Sequence, residues 1–89
     1  MPAARIRVIK GAETISDISD RDRGVLLLHG FFGTPSEMRF LAKALSDSGF
    51  SVLAPRYPGH GTAIEEMTRS SVESWYECAR EAYIELSSR

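Results

Sequence analysis

Two short, unbroken apolar runs punctuate the chain, Val25 to Leu28 (V-L-L-L) and Ser51 to Ala54 (S-V-L-A). Runs of this length without alternation suit strands covered on both faces, as in a parallel sheet with helices above and below. Arg5 to Lys10 alternates polar and apolar with period two, the pattern of a half-buried strand, and Gly11 ends it. Ser16 to Arg23 is polar and charged and reads as a surface connection. Between the two apolar runs, Met38, Leu41, Ala42 and Leu45 recur at helical spacing. Thr34-Pro35-Ser36-Glu37 marks the start of that helix as a capping box with proline at the first helical position. Gly49 ends it, with Phe50 packing back on the last turn.

Arg56 to Arg69 is predicted to be a long loop. Ser70-Ser71-Val72-Glu73 reads as a second capping box, after which Val72, Trp75, Tyr76, Ala79, Tyr83 and Leu86 share one helix face. Glu73, Glu77, Glu81 and Glu85 line the opposite face at i, i+4 spacing and read as a solvated stripe. The order strand, strand, helix, strand, helix predicts an α/β fold: three short strands of a mostly parallel sheet with two flanking helices.

With 89 residues there is room for one domain at most, and a small core. Apolar content of 43% and charged content of 26% place the chain among globular proteins rather than disordered ones. The net charge is −1 with both signs interspersed, so no basic surface is available for a phosphate backbone and nucleic acid is excluded as a partner. No stretch approaches the ~20 apolar residues of a membrane span, and no signal peptide is evident in Met1 to Lys10. A single cysteine, Cys78, fits a reducing compartment, so the expected location is cytoplasmic. It reads as a semi-exposed, inert thiol. Two histidines and one cysteine without close spacing make no metal site, and no cofactor is expected.

The informative chemistry lies after the first apolar run, in His29-Gly30-Phe31-Phe32-Gly33. A sharp turn there needs small residues, which Gly30 and Gly33 provide. A loop just ahead of a helix N-terminus leaves backbone N–H groups unpaired, and such groups stabilise developing negative charge. The Phe31 N–H is the candidate donor. Phe32 is expected to be partly exposed, either as a plug at the end of the sheet or as a wall of a binding pocket.

V-L-L-L-H-G-F-F-G-T-P-S-E-M, then S-V-L-A-P, then Y-P-G-H-G together resemble the N-terminal segment of the α/β-hydrolases, nearest to the carboxylesterase and monoacylglycerol-lipase-like group. The likeness runs over roughly residues 24 to 86. It implies that the Phe31 N–H forms half of an oxyanion hole, with the other half coming from the residue after a nucleophilic serine. It implies structural roles for His29 and for Gly59, His60 and Gly61. It also implies a serine in G-x-S-x-G on a strand-to-helix elbow, which this sequence lacks. Gly49-Phe50-Ser51-Val52-Leu53 has no final glycine and lies at a helix-to-strand junction, so Ser51 is rejected as nucleophile. Neither His29 nor His60 has an evident serine and acid to complete a triad.

The expected molecule is therefore one incomplete hydrolase domain over residues 1–89. Its activity as a serine carboxylesterase or lipase would depend on a C-terminal half bearing Ser, Asp and His. An open edge on the Val25–Leu28 strand would seek that half, or a second copy of the chain. The alternative is a non-catalytic module that self-associates through the same edge.

Overall fold

Ser51–Ala54 forms the middle strand of a three-stranded sheet and is its most buried segment, with Val52, Leu53 and Ala54 between 0% and 3% exposed. The computed structural model describes residues 7–19 and 21–88. In chain order the elements are β1 (Ile15–Asp17), β2 (Gly24–Leu26), a 3₁₀ turn (Pro35–Met38), α1 (Arg39–Asp47), β3 (Ser51–Ala54), α2 (Ile64–Arg69) and α3 (Val72–Ser87). The sheet order is β1-β3-β2. β2 runs parallel to β3, with Val25 opposite Val52, and Leu27 N–H extends the pairing by donating to Leu53 O at 2.9 Å. β1 runs antiparallel to β3, with Ser16 opposite Leu53. β2 has one strand neighbour and β1 has one, so both are edges among the described residues.

The α/β class with three short strands is as the sequence predicts, but four local readings change. The period-two segment Arg5–Lys10 is not a strand where it is described. Arg7–Lys10 carries no strand pairing, and Arg5 and Ile6 lie outside the described residues. The third strand is instead β1, which overlaps the start of the segment expected to be a surface connection. Its register comes from pairing with β3, and the Asp17 carboxylate also accepts from the Ser46 hydroxyl of α1. Second, the Arg56–Arg69 segment is not all loop. It contains α2, whose N-cap Ala63 N–H is bound by the Glu66 carboxylate at 3.0 Å.

Third, α3 is capped by Ser71, one residue later in the box than expected. Ser71 Oγ accepts from Ser74 N–H at 3.1 Å and Ser74 Oγ accepts from Ser71 N–H at 3.0 Å. Fourth, its inward face is Trp75, Cys78, Ala79, Ala82 and Leu86, whereas Val72, Tyr76 and Tyr83 are exposed. The helix packs on the sheet through this face, where a Cβ at Gly24 of β2 would come within 2.9 Å of the Leu86 side chain. On α1 the buried position is Ala42, and Leu41 is half exposed. The helix ends as predicted, with Gly49 at φ 94° and Phe50 N–H donating to Leu45 O at 3.1 Å.

Candidate oxyanion-type site at the ends of the parallel strands

The loops leaving β2 and β3 emerge side by side, because the two strands are parallel neighbours. That is the edge of an open α/β sheet at which ligands bind. The loop after β2 carries His29 to Gly33, and the loop after β3 carries Tyr57 to Gly61.

His29 joins the loops. It is 3% exposed, its ring lies 3.9 Å from the Tyr57 ring, and Tyr57 N–H donates to its Nε2 at 3.2 Å. An amide N–H can only donate, so Nε2 holds the lone pair and the ring proton sits on Nδ1. Nδ1–H then donates to Gly30 O at 3.0 Å. Burial lowers the His29 pKa below its ordinary 6.5. The Gly30 bond and the Glu37 carboxylate oppose that shift, while His60 and Arg56 add to it. The imidazole is a neutral brace.

Gly30 O accepts a second bond, from Gly33 N–H at 2.8 Å, closing a tight turn around Phe31 and Phe32. The sequence assigns the bend to the glycines, but the left-handed residue is Phe32, at φ 64°. A bulky residue in that region marks a constrained, functionally suggestive backbone. Gly33 matters for a different reason: a Cβ there would fall 2.5 Å from the Glu37 carboxylate and push it from its place against the turn. In a trans peptide the N–H points opposite to the C=O. With Gly30 O held by both His29 and Gly33, the Phe31 N–H is directed the other way. Among the described residues nothing accepts from it. The Phe31 and Phe32 rings, each 61% exposed, meet edge to face 4.2 Å apart beside it.

His60 sits behind this turn, fully buried, with the rings of His29, Tyr57, Trp75 and Phe31 between 5.2 and 5.9 Å away. Its Nδ1 donates to Pro58 O at 3.1 Å, and Trp75 Nε1 of α3 donates to the same oxygen at 3.1 Å. The Arg56 guanidinium holds His60 O at 2.7 Å. His60 Nε2 and Thr62 Oγ1 are the buried side-chain polar atoms without a partner among the described residues. Gly59, at φ 77°, is fixed by close approach as well as conformation. A Cβ there would lie 2.7 Å from Glu66 O and 2.9 Å from Met67 Cα. Gly61 abuts Ala12 in the same way.

The fold thus brings His29, Gly30, Phe31, Phe32, Gly33 and His60 together. Tyr57, Trp75 and Glu37 join them, none of which the sequence assigns to the site. Trp75 reads from its spacing as plain core, and Glu37 as a local helix cap. Ser51 is fully buried in β3, where its hydroxyl donates to Ser19 O and accepts from Ser19 N–H, both at 3.1 Å. It is not placed as a nucleophile. Cys78 is half buried and donates to Arg56 O at 3.5 Å. Burial, aided by Glu81 and opposed by Arg56, raises its pKa, which favours the protonated thiol. Among the described residues no group of three or more potential metal ligands exists, and no helix is long and apolar enough to cross a membrane. An open cleft of about 750 Å³ between α2 and α3 is lined by Arg56, Glu66, Cys78 and Glu81 among others and includes neither phenylalanine.

A family model described as the alpha/beta hydrolase family matches residues 25–88. A thermostable monoacylglycerol lipase of Bacillus sp. (strain H-257) is 47% identical over 66 residues, which are 74% of this chain and 26% of that protein. A carboxylesterase of Bacillus subtilis (strain 168) is 39% identical over 67 residues, 75% of this chain and 27% of that protein. A solved structure from work on LipS and LipT, two metagenome-derived lipolytic enzymes, superposes with a TM-score of 0.88 at 40% identity, covering 93% of this chain and 34% of that one. The chain spans about a quarter of the length of the curated relatives it matches.

Proposed function

The chain belongs to the α/β-hydrolase family, and we propose that it supplies the oxyanion-hole segment of a serine carboxylesterase or lipase. The observation that carries this reading is the free Phe31 N–H, aimed by a peptide whose carbonyl is held from two sides. In the proposed reaction a serine from a segment outside these 89 residues attacks an ester carbonyl. Negative charge develops on the carbonyl oxygen and is met by the Phe31 N–H and by a second N–H next to that serine. Such a donor is typically worth ~10²–10³ in rate. The alcohol leaves, and water hydrolyses the acyl-enzyme with a histidine and an acid from the same outside segment. Phe31 and Phe32 form an apolar wall beside the oxyanion. Residues 1–89 act as part of one domain, in the cytoplasm, with β2 pairing to the rest of the sheet.

The test is hydrolysis of a chromogenic short-chain acyl ester by the purified chain, alone and mixed with the C-terminal segment of a carboxylesterase. Turnover in the mixture alone, abolished by a serine-directed inhibitor, is the expected result. A second reading, a non-catalytic module that self-associates, is favoured by the open β2 edge and the exposed Tyr76 and Tyr83 of α3. No turnover in either sample, together with a stable oligomer of the chain alone, would select it.

A further inference from the structure

Thr34-Pro35-Ser36-Glu37 has the composition of a self-contained capping box, in which the glutamate returns to the N–H of its own cap. The box does not form in that way. Thr34 Oγ1 accepts from Ser36 N–H at 3.3 Å, and Glu37 Oε1 accepts from Gly30 N–H at 2.7 Å, seven residues upstream. This is a short, charge-assisted bond to a backbone donor. The carboxylate lies against the Gly30–Gly33 turn: a Cβ at position 33 would fall 2.5 Å from it and displace it. A residue that departs from its local rule in this way is serving something outside its own helix.

We propose that Glu37 is a positioning residue for the Phe31 donor. The two peptides flanking Gly30 are fixed by different partners. His29 and Gly33 hold the Gly30 carbonyl, and so the plane that carries the Phe31 N–H. Glu37 holds the Gly30 N–H, and so the plane before it. With both planes pinned, rotation about the Gly30 backbone is suppressed, and a glycine there no longer costs precision. Glu37 also takes the Gly30 N–H out of competition with the Phe31 N–H for an incoming oxygen. The assignment rests on the reading of Phe31 as the oxyanion donor.

The experiment compares Glu37→Ala with Glu37→Gln, which keeps an acceptor oxygen but not the charge. In the 89-residue chain, amide NMR is expected to show the Gly30 proton moving upfield and the Phe31 and Phe32 amides broadening or exchanging faster in E37A, and largely retained in E37Q. Circular dichroism of both variants checks that the fold persists. In the complemented hydrolase, E37A is expected to lose roughly tenfold or more in kcat with little change in KM, as small misplacements of catalytic groups do, and E37Q to recover most of it. Phe31 and Phe32 amides that do not respond to E37A overturn the proposal, as does an undiminished kcat. If the unsubstituted mixture shows no turnover, the oxyanion reading fails by itself, while the amide response still decides whether Glu37 orders the turn.

Discussion

His29 and Tyr57 are joined twice: their rings stack with centroids 3.9 Å apart, and Tyr57 N–H donates to His29 Nε2 at 3.2 Å. The bond requires a neutral imidazole, and burial is the main reason its folded-state pKa lies below 6.5. In the window between that lowered value and the unfolded 6.5, the unfolded chain binds more protons than the folded one, so stability rises with pH there. The contribution is complete above about pH 6.5 and is lost as pH falls toward the folded value. Urea midpoints measured from pH 8 down to pH 5.5 are expected to fall over the lower part of that range. His29→Gln, which keeps an acceptor near the Nε2 position but cannot titrate, is expected to be flatter. A His29→Gln curve parallel to the parent would assign the pH dependence to another group.

Gly59 and Gly49 both occupy the left-handed region, at φ 77° and 94°, but their surroundings differ. An alanine Cβ at Gly49 meets nothing within 4 Å, whereas at Gly59 it meets backbone atoms of α2. Gly49→Ala should therefore cost only the conformational penalty, about 1–2 kcal/mol. Gly59→Ala should cost about 1–3 kcal/mol more from overpacking, and should loosen the loop that holds His60. Equal losses in denaturant titrations would mean that α2 yields freely and does not clamp the loop.

The strongly patterned parts of this fold were legible in the sequence. Ser51 to Ala54 is an unbroken run because the strand is covered on both faces, and Gly49 announces its helix end. β1 was not legible because Ile15-Ser16-Asp17 is too short and polar to show a period; its partners, Leu53 across the ladder and Ser46 on α1, make it a strand. Arg7–Lys10 shows the converse, a period without a strand partner: Ile9 N–H donates instead to Gly61 O, in a loop, at 2.7 Å. On α3, hydrophobicity pointed to Trp75, Ala79 and Leu86, which do turn inward, and to Val72, Tyr76 and Tyr83, which do not; the buried position is the small Ala82. At the site, the motifs named loop residues that the fold brings side by side. Which donor meets which acceptor was beyond them: Glu37 bonds across seven residues, and Trp75 reaches back 17 residues to Pro58.

α3 leaves Val72, Tyr76, Tyr83 and Ile84 between 47% and 68% exposed, and β2 is an edge strand. Apolar surface beside unpaired strand groups promotes association. Sedimentation velocity of the chain alone is expected to show concentration-dependent oligomers. The double change Tyr76→Lys and Tyr83→Lys, on exposed helix positions, should shift the distribution toward monomer without loss of helicity. Under the split-hydrolase reading, adding the C-terminal segment should replace those oligomers with a one-to-one complex. Oligomers that persist unchanged in its presence would favour the self-associating module.

The oxyanion assignment concerns a backbone atom, so the decisive change is one that removes the N–H and spares the turn. Phe31 is the second residue of a four-residue turn closed by Gly33 N–H and Gly30 O, with Phe32 at φ 64° in third place. A positive φ at the third position is the mark of a type II turn, in which proline is favoured at the second. Gly30, ahead of it, tolerates the extended backbone that a following proline demands. Phe31→Pro should therefore keep the turn while deleting the donor, and lower kcat in the complemented hydrolase by ~10²–10³. Phe31→Leu loses the ring but keeps the N–H, so it controls for lost contact with Trp75 and His60. If the two variants lose activity equally, the ring is what matters and the amide does not hold the oxyanion. If only the proline variant fails, with KM for the ester little changed, the loss lies in the transition state, where an oxyanion donor acts.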